Sequence, residues 1–166
     1  MRLLVLVIIL CLLSVAAFAN DAPKLHTTVK DWNVLTRSVD GDLLCYVRSF
    51  ATDKSPQSVN HGDIAFFVGT WKSGAAFEQP SLITGYPIRA QTPPKAKVGN
   101  RTITMFSAGQ EAFVEAERDE KRLVQAMRKG SRLRIEAMSE RGTATAYEFS
   151  LSGITSALRK ANALCS

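Results

Sequence analysis

The chain has 166 residues, 21 of them Lys or Arg against 15 Asp or Glu, with a formal charge of +6 at neutral pH and 46% hydrophobic residues. That length houses one domain with a core of its own but is short for two. The basic excess is moderate and has no charged tail, which excludes a polybasic or polyacidic arm and singles out no partner.

Residues 1–19 read as a secretory signal peptide. Arg2 precedes an apolar run over residues 3–13, and Ala17-Phe18-Ala19 puts small residues at the two positions a signal peptidase inspects. An uncleaved membrane anchor is the alternative, disfavoured by the polar Ser14 and the Ala-x-Ala ending. Lipidation at Cys11 is disfavoured because Ile8, Ile9 and Leu10 stand where small residues are needed. Cleavage removes Cys11 and leaves Cys45 and Cys165, so export predicts one disulfide; two buried free thiols are the alternative.

Residues 20–30 are polar, contain Pro23 and lack periodicity, which reads as an N-terminal arm ahead of a domain over residues 31–166. Short β-like runs follow. Trp32 and Val34 alternate with Asn33, and Leu43, Cys45 and Val47 alternate with Leu44, Tyr46 and Arg48. Residues 64–70 are rich in aromatic and β-branched residues and residues 81–86, 101–106 and 112–115 continue that theme, punctuated by turn signals at Asp40-Gly41, residues 60–62, Pro93-Pro94 and Gly99-Asn100. The clearest helix spans residues 119–129, opened by Asp119 and Glu120, striped by Leu123, Val124, Ala126 and Met127, and closed by Arg128 and Lys129. Gly130 is expected as its left-handed cap. Two alternating strands around Leu133–Ala137 and Tyr147–Leu151 are joined by a hairpin turn at Arg141-Gly142. Ser152 then caps a last helix, with Ile154, Ala157, Leu158, Ala161 and Leu164 at helical spacing. Cys165 falls at the border of that apolar face and Cys45 shares a strand face with Leu43 and Val47, so both sulfurs point inward. A bond between them would tie the last helix to an early strand, worth roughly 4 to 5 kcal/mol on the chain-entropy argument.

No spacing in the chain spells out a reaction. His26 and His61 lack ligand partners at metal spacing, and a lone loop histidine is expected to be solvated; no metal or other cofactor is predicted. There is no Cys-x-x-Cys motif, no phosphate-binding glycine loop and no Gly-x-Ser-x-Gly elbow. Glu115, Glu117, Asp119 and Glu120 are explained as dipole-complementing acids on a solvated face. The feature with most functional pull is the run Arg128, Lys129, Arg132 and Arg134, a candidate contact for lipopolysaccharide, an anionic membrane or a host polyanion, with ordinary solvation as the simpler explanation. No aromatics interleave with these charges, which argues against nucleic acid. Phe66, Phe67, Trp71 and Phe77 form the densest aromatic cluster; Phe66 and Phe67 point to opposite sheet faces, and core packing is expected for most of the four.

Several segments together resemble the invasion-associated locus B family of Gram-negative envelope proteins. They are Cys45-Tyr46 with Ser49, residues 64–68 (Ile-Ala-Phe-Phe-Val), Gly85-Tyr86-Pro87, residues 126–130, Ser139-x-Arg141-Gly142-Thr143, residues 150–153 and Cys165. Their order covers about residues 32–165. The family's proline soon after the Cys-Tyr-x-x-Ser segment is delayed here to Pro56, and the aspartate after Arg-Gly-Thr is replaced by Ala144 and Ala146. The resemblance implies a periplasmic or outer-membrane-associated protein linked, in pathogenic members, to host-cell invasion, and it brings no catalytic residues.

The fold expected is mainly β with two short helices (α+β), an antiparallel β-sandwich or open barrel of about eight strands. The function expected is that of a non-enzymatic exported envelope protein acting by surface contact with an envelope or host-surface component. The alternative is a periplasmic small-ligand or peptide-binding module, which needs a concave apolar pocket inside the sandwich. An enzyme would require a cleft gathering His61 with an acid and a serine.

Overall fold

A computed structural model describes residues 22–166. The predicted leader, Cys11 and the expected mature N-terminus at Asn20 lie outside the described residues. In chain order the elements are β1 (Lys24–Val29), β2 (Trp32–Val39), β3 (Asp42–Phe50), β4 (Asp53–Ser55), β5 (Ala65–Trp71), β6 (Gln79–Ile83), β7 (Lys95–Val98), β8 (Arg101–Thr104), β9 (Phe106–Ala108), β10 (Glu111–Phe113), α1 (Glu117–Lys129), β11 (Arg132–Met138), β12 (Ala144–Ser150) and α2 (Ile154–Cys165). The strands form two antiparallel sheets, one of seven ordered β1-β2-β3-β5-β6-β10-β9 and one of five ordered β4-β12-β11-β7-β8. Neither closes into a barrel, so the sandwich is the form realised.

Strand alternation decides what lies between the sheets. Inward side chains Trp32, Val34, Val47, Phe66, Val68 and Leu82 of the large sheet meet Leu133, Ile135, Tyr147 and Phe149 of the small one, and all are buried. Phe66 and Phe149 are packed ring to ring at 5.7 Å between centroids, and the Trp32 indole N–H donates to the Ser150 carbonyl at 3.0 Å, tying the sheets together. The helices share this interior: α1 lies against β6, β7 and β8 through Leu123, Val124 and Met127, and α2 lies against β2, β3 and β5. Asp40-Gly41 is the two-residue hairpin between β2 and β3, with φ of +50° and +86°.

Several local expectations are corrected. The segment over residues 20–30 contains an edge strand rather than only an arm: β1 pairs with β2 from Lys24↔Thr36 to Val29↔Trp32, because polar residues suffice on an exposed edge. Residues 101–106 divide between the sheets, β8 pairing with β7 and β9 with β10, and the chain crosses at buried Met105, whose N–H bonds the Pro94 carbonyl at 2.8 Å. Gly130 is extended, not left-handed; its value is space, since a Cβ there would stand 2.5 Å from Val98 Cγ1. The cap of α2 is Gly153 at φ +94° instead of Ser152, in a conformation that L side chains rarely adopt. Strands β4 and β7, short and lysine-bearing, had no periodic signal long enough to read.

Candidate functional site

The covalent anchor is where the spacing placed it. Cys45 on β3 is bonded to Cys165 at the end of α2 across a sequence separation of 120, with a Cα–Cα distance of 5.9 Å. One helical turn earlier, Asn162 is part of a polar clasp whose members carry no local mark of their pairing. Its amide Nδ2 donates to Glu78 Oε1 at 2.7 Å, the same carboxylate is ion-paired with Arg128 of α1, and Asn162 Oδ1 accepts from Thr70 Oγ1 at 3.0 Å. Thr70 Oγ1 also accepts the Glu78 backbone N–H at 3.1 Å. Both helices are thereby held to the segment between β5 and β6.

That clasp reorganises the basic run. Arg128 is turned toward Glu78; Arg132 and Arg134 both reach Glu148, at 3.1 and 3.4 Å, and Arg134 also meets Glu136 at 3.3 Å. Lys129 alone of the four has no ion pair among the described residues, so the structure distributes these side chains over three settings and balances most of their charge locally. Glu136 is held below the ordinary carboxylate range, chiefly by its hydrogen bond from Lys97. The acids opening α1 also divide. Glu117 and Asp119 are depressed by hydrogen bonds from Lys121 and Arg122 respectively, whereas Glu120 is buried and its carboxyl is pushed up by desolvation, contrary to a fully solvated face.

His61 is likewise not solvated, being 6% exposed. Its Nε2 faces the Pro56 carbonyl at 2.8 Å, which can only accept, so Nε2 carries a proton; Nδ1 lies 3.0 Å from the Tyr147 hydroxyl. Tyr147 in turn meets the Tyr86 hydroxyl at 2.6 Å, and Tyr86 meets Thr145 Oγ1 at 2.7 Å. With the Nε2 proton given to Pro56, Nδ1 accepts from Tyr147 and Tyr86 donates to Tyr147, while the one proton of Thr145 is shared between Tyr86 and the Ala137 carbonyl, 3.2 Å away. Burial first, and then the Tyr86 bond, push the Tyr147 phenol far above its ordinary range.

His61, Tyr86 and Thr145 line a recess of about 610 Å³ whose wall includes Val59, Asn60, Pro87, Ser139, Glu140 and Arg141, with Tyr147 buried beneath it. A serine, an acid and a histidine thus share one recess. They do not form a nucleophile–base pair, since both His61 nitrogens are committed elsewhere and Ser139 Oγ accepts the Thr143 N–H at 3.1 Å.

The aromatic cluster separates as alternation requires. Phe66 enters the core, while Phe67 and Trp71 are half-buried on the opposite, outer face of the large sheet, and Phe77 is 58% exposed in the loop before β6. Core packing therefore holds for one of the four, not most. On the outer face Phe67 and Trp71 join Arg37, Leu44, Tyr46, Ile83 and Phe113 around a groove of about 350 Å³. Gly69 on β5 opens it, because a side chain at that position would project toward Leu44 and Tyr46. The groove was half legible in the opposed directions of Phe66 and Phe67; the alternation of Tyr46, Arg48 and Phe50 on β3 was the remaining signal.

These features define a two-sheet, disulfide-closed sandwich with a filled interior and an outer face of the large sheet that neither helix covers. A family profile described as "Invasion associated locus B (IalB) protein" matches residues 32–162, and the chain belongs to that family. The fold is similar to the crystal structure of invasion associated protein b from Bartonella henselae, at a TM-score of 0.58 and 16% identity over 87% of this chain and 98% of that one. No curated protein matches the sequence.

Proposed function

We propose that this protein is exported to the bacterial envelope, periplasmic or associated with the outer membrane, and works there without catalysis by contact with an envelope or host-surface component. The observation that carries this reading is the outer face of the seven-stranded sheet, where aromatic and aliphatic side chains remain half-exposed beside arginines although the core beneath is complete. The Cys45–Cys165 bridge supports an oxidising compartment, and the leader pattern over residues 1–19 supports export. Family membership supports the envelope setting. Neither a cofactor nor nucleic acid enters this account.

A second reading, a small-ligand module, is favoured by the recess above Tyr86 and His61. Its ligand would sit at the surface, because Trp32, Phe66, Tyr147 and Phe149 fill the space between the sheets where an internal pocket was expected. The test is fractionation of the native bacterium combined with photo-crosslinking from position 67. The contact reading expects an envelope fraction and a crosslinked envelope or host-surface component. Full-length protein with reduced thiols in the cytoplasm would overturn it.

A further inference from the structure

Arg37 on β2 and Arg48 on β3 stand apart from the other arginines that face a sheet surface. Strand register places both on the outer face, Arg37 opposite Leu44 and Arg48 opposite Phe67, with Tyr46 between Leu44 and Arg48 on β3. Neither is ion-paired among the described residues, and the Nε–H of each is buried with no hydrogen-bond acceptor. A buried donor without a partner is costly, so an anion that draws either guanidinium outward relieves that cost as it binds. Both guanidinium groups act on the Tyr46 phenol, opposing the upward push of its burial. The Arg48 guanidinium also lies over the Phe50 ring, 4.8 Å from its centroid.

Around these cations the apolar groups are spread over the width of the sheet. Leu25 on β1 is 54% exposed, Phe50 on β3 48% and Phe106 on β9 45%, and Phe106 is paired with Phe113 at 5.6 Å between centroids. β1 and β9 are the two edges of the sheet, so the wedges stand at both margins and in the middle. A protein partner would need a matching pocket for each; a fluid lipid surface admits separate shallow wedges at head-group level, where aromatic and arginine side chains are at home. Glu111, the acid on the groove wall, lies on β10, three strands across the sheet from β3.

We propose that the outer face of the seven-stranded sheet docks peripherally on an anionic phospholipid surface, with lipid phosphates taken by Arg37 and Arg48 beside Tyr46 and an apolar chain received in the groove opened by Gly69. Arginine suits phosphate because its planar fork donates two parallel hydrogen bonds. The inference deepens the contact reading above, and rests on it, by naming the partner and the face. It differs from contact through Lys129 and Arg132, which lie on α1 and β11, away from this face.

The test is flotation of the purified, disulfide-bonded protein with vesicles of phosphatidylcholine alone or mixed in equal parts with phosphatidylglycerol. The protein should float with the anionic vesicles and not with the neutral ones. Each basic group near an anionic surface is worth about a fivefold change in binding, so Arg37→Gln with Arg48→Gln should weaken it roughly thirtyfold. Gly69→Leu, which fills the groove without touching charge, should weaken it further, while Lys129→Glu with Arg132→Glu should bind like wild type. Melting curves under oxidising conditions keep folding failures apart, and Gly69→Ala serves if the leucine does not fold. No binding by the wild type, equal binding to both vesicles, or loss confined to the Lys129/Arg132 variant would each overturn the proposal. Capture of an acidic peptide without vesicle binding would assign the face to a protein and overturn it too. Since this test uses purified protein, its failure leaves the export reading to be judged by fractionation.

Discussion

Asn162 on the last helix and Glu78 in the loop before β6, 84 residues apart in sequence, are joined by a 2.7 Å hydrogen bond from the amide to Oε1 of the carboxylate. Arg128 binds the same oxygen from the other helix, so one buried acid holds both helices to the large sheet. Removing a single partner strands a buried polar group instead of merely deleting an attraction, which sets the direction of the first prediction.

Glu78→Leu should lower stability by about 2 to 4 kcal/mol, leaving Asn162 and Arg128 without their acceptor. Asn162→Ala should cost less, about 1 kcal/mol, since Arg128 keeps the carboxylate company. Urea denaturation of the two single variants and the double variant checks this; the double variant should fall short of the sum of the singles.

Cys165→Ser should lower stability by roughly 2 to 5 kcal/mol and expose the end of α2 to proteolysis before the rest of the domain. Native-state proteolysis with and without reductant measures it. The clasp one turn earlier should keep the beginning of α2 in place, so protection should be lost from the C-terminus inward.

Glu120 gives a pH dependence with a definite sign. Its carboxyl titrates above the ordinary 4.5 in the folded protein because burial disfavours the charge. The unfolded chain therefore gives up the proton first, and the contribution of the neutral acid is present below that ordinary value and is lost as pH rises through the folded one. Glu120→Gln should raise the melting temperature at neutral pH, with the difference shrinking below the carboxylate range. A series of melts across pH would show it.

Tyr147→Phe removes the donor to His61 Nδ1 and should cost about 1 to 3 kcal/mol by stranding that nitrogen in a buried setting, while Tyr86 keeps Thr145 as its partner. In the wild type, Tyr147 should ionise only on unfolding. Because its folded phenol is raised above the ordinary 10.0, stability should fall as pH climbs past that value. Ultraviolet titration of the phenols against a folding probe checks the coincidence.

What could be read from the residues follows from how local the signals are. Period-two alternation revealed β3, β11 and β12, aromatic and β-branched composition revealed β5, and the helical spacing of Ile154, Ala157, Leu158 and Ala161 put α2 over the core, which in turn brought Cys165 to Cys45. The short edges were illegible: β4 and β9 are three residues each, and no periodicity exists in so few. The basic run looked like one feature because its members are near in sequence, but Glu78 and Glu148 reach it from 50 and 14 residues away. The links of His61 to Tyr147 and of Glu78 to Asn162 are contacts of sheet topology, for which a single chain carries no local mark. Arg37 and Arg48 could have been placed on one face from strand parity, but only the fold tells which face is left uncovered.

The measurement closest to the central claim is intact-mass and N-terminal analysis of the protein recovered from its native cells after rapid alkylation of free thiols. An exported envelope protein should begin at Asn20, appear in the periplasmic or membrane fraction and carry no alkyl group, with Cys45 and Cys165 bonded. A chain that still carries Met1 and takes up alkyl groups at Cys45 and Cys165 in the cytoplasmic fraction would contradict the account.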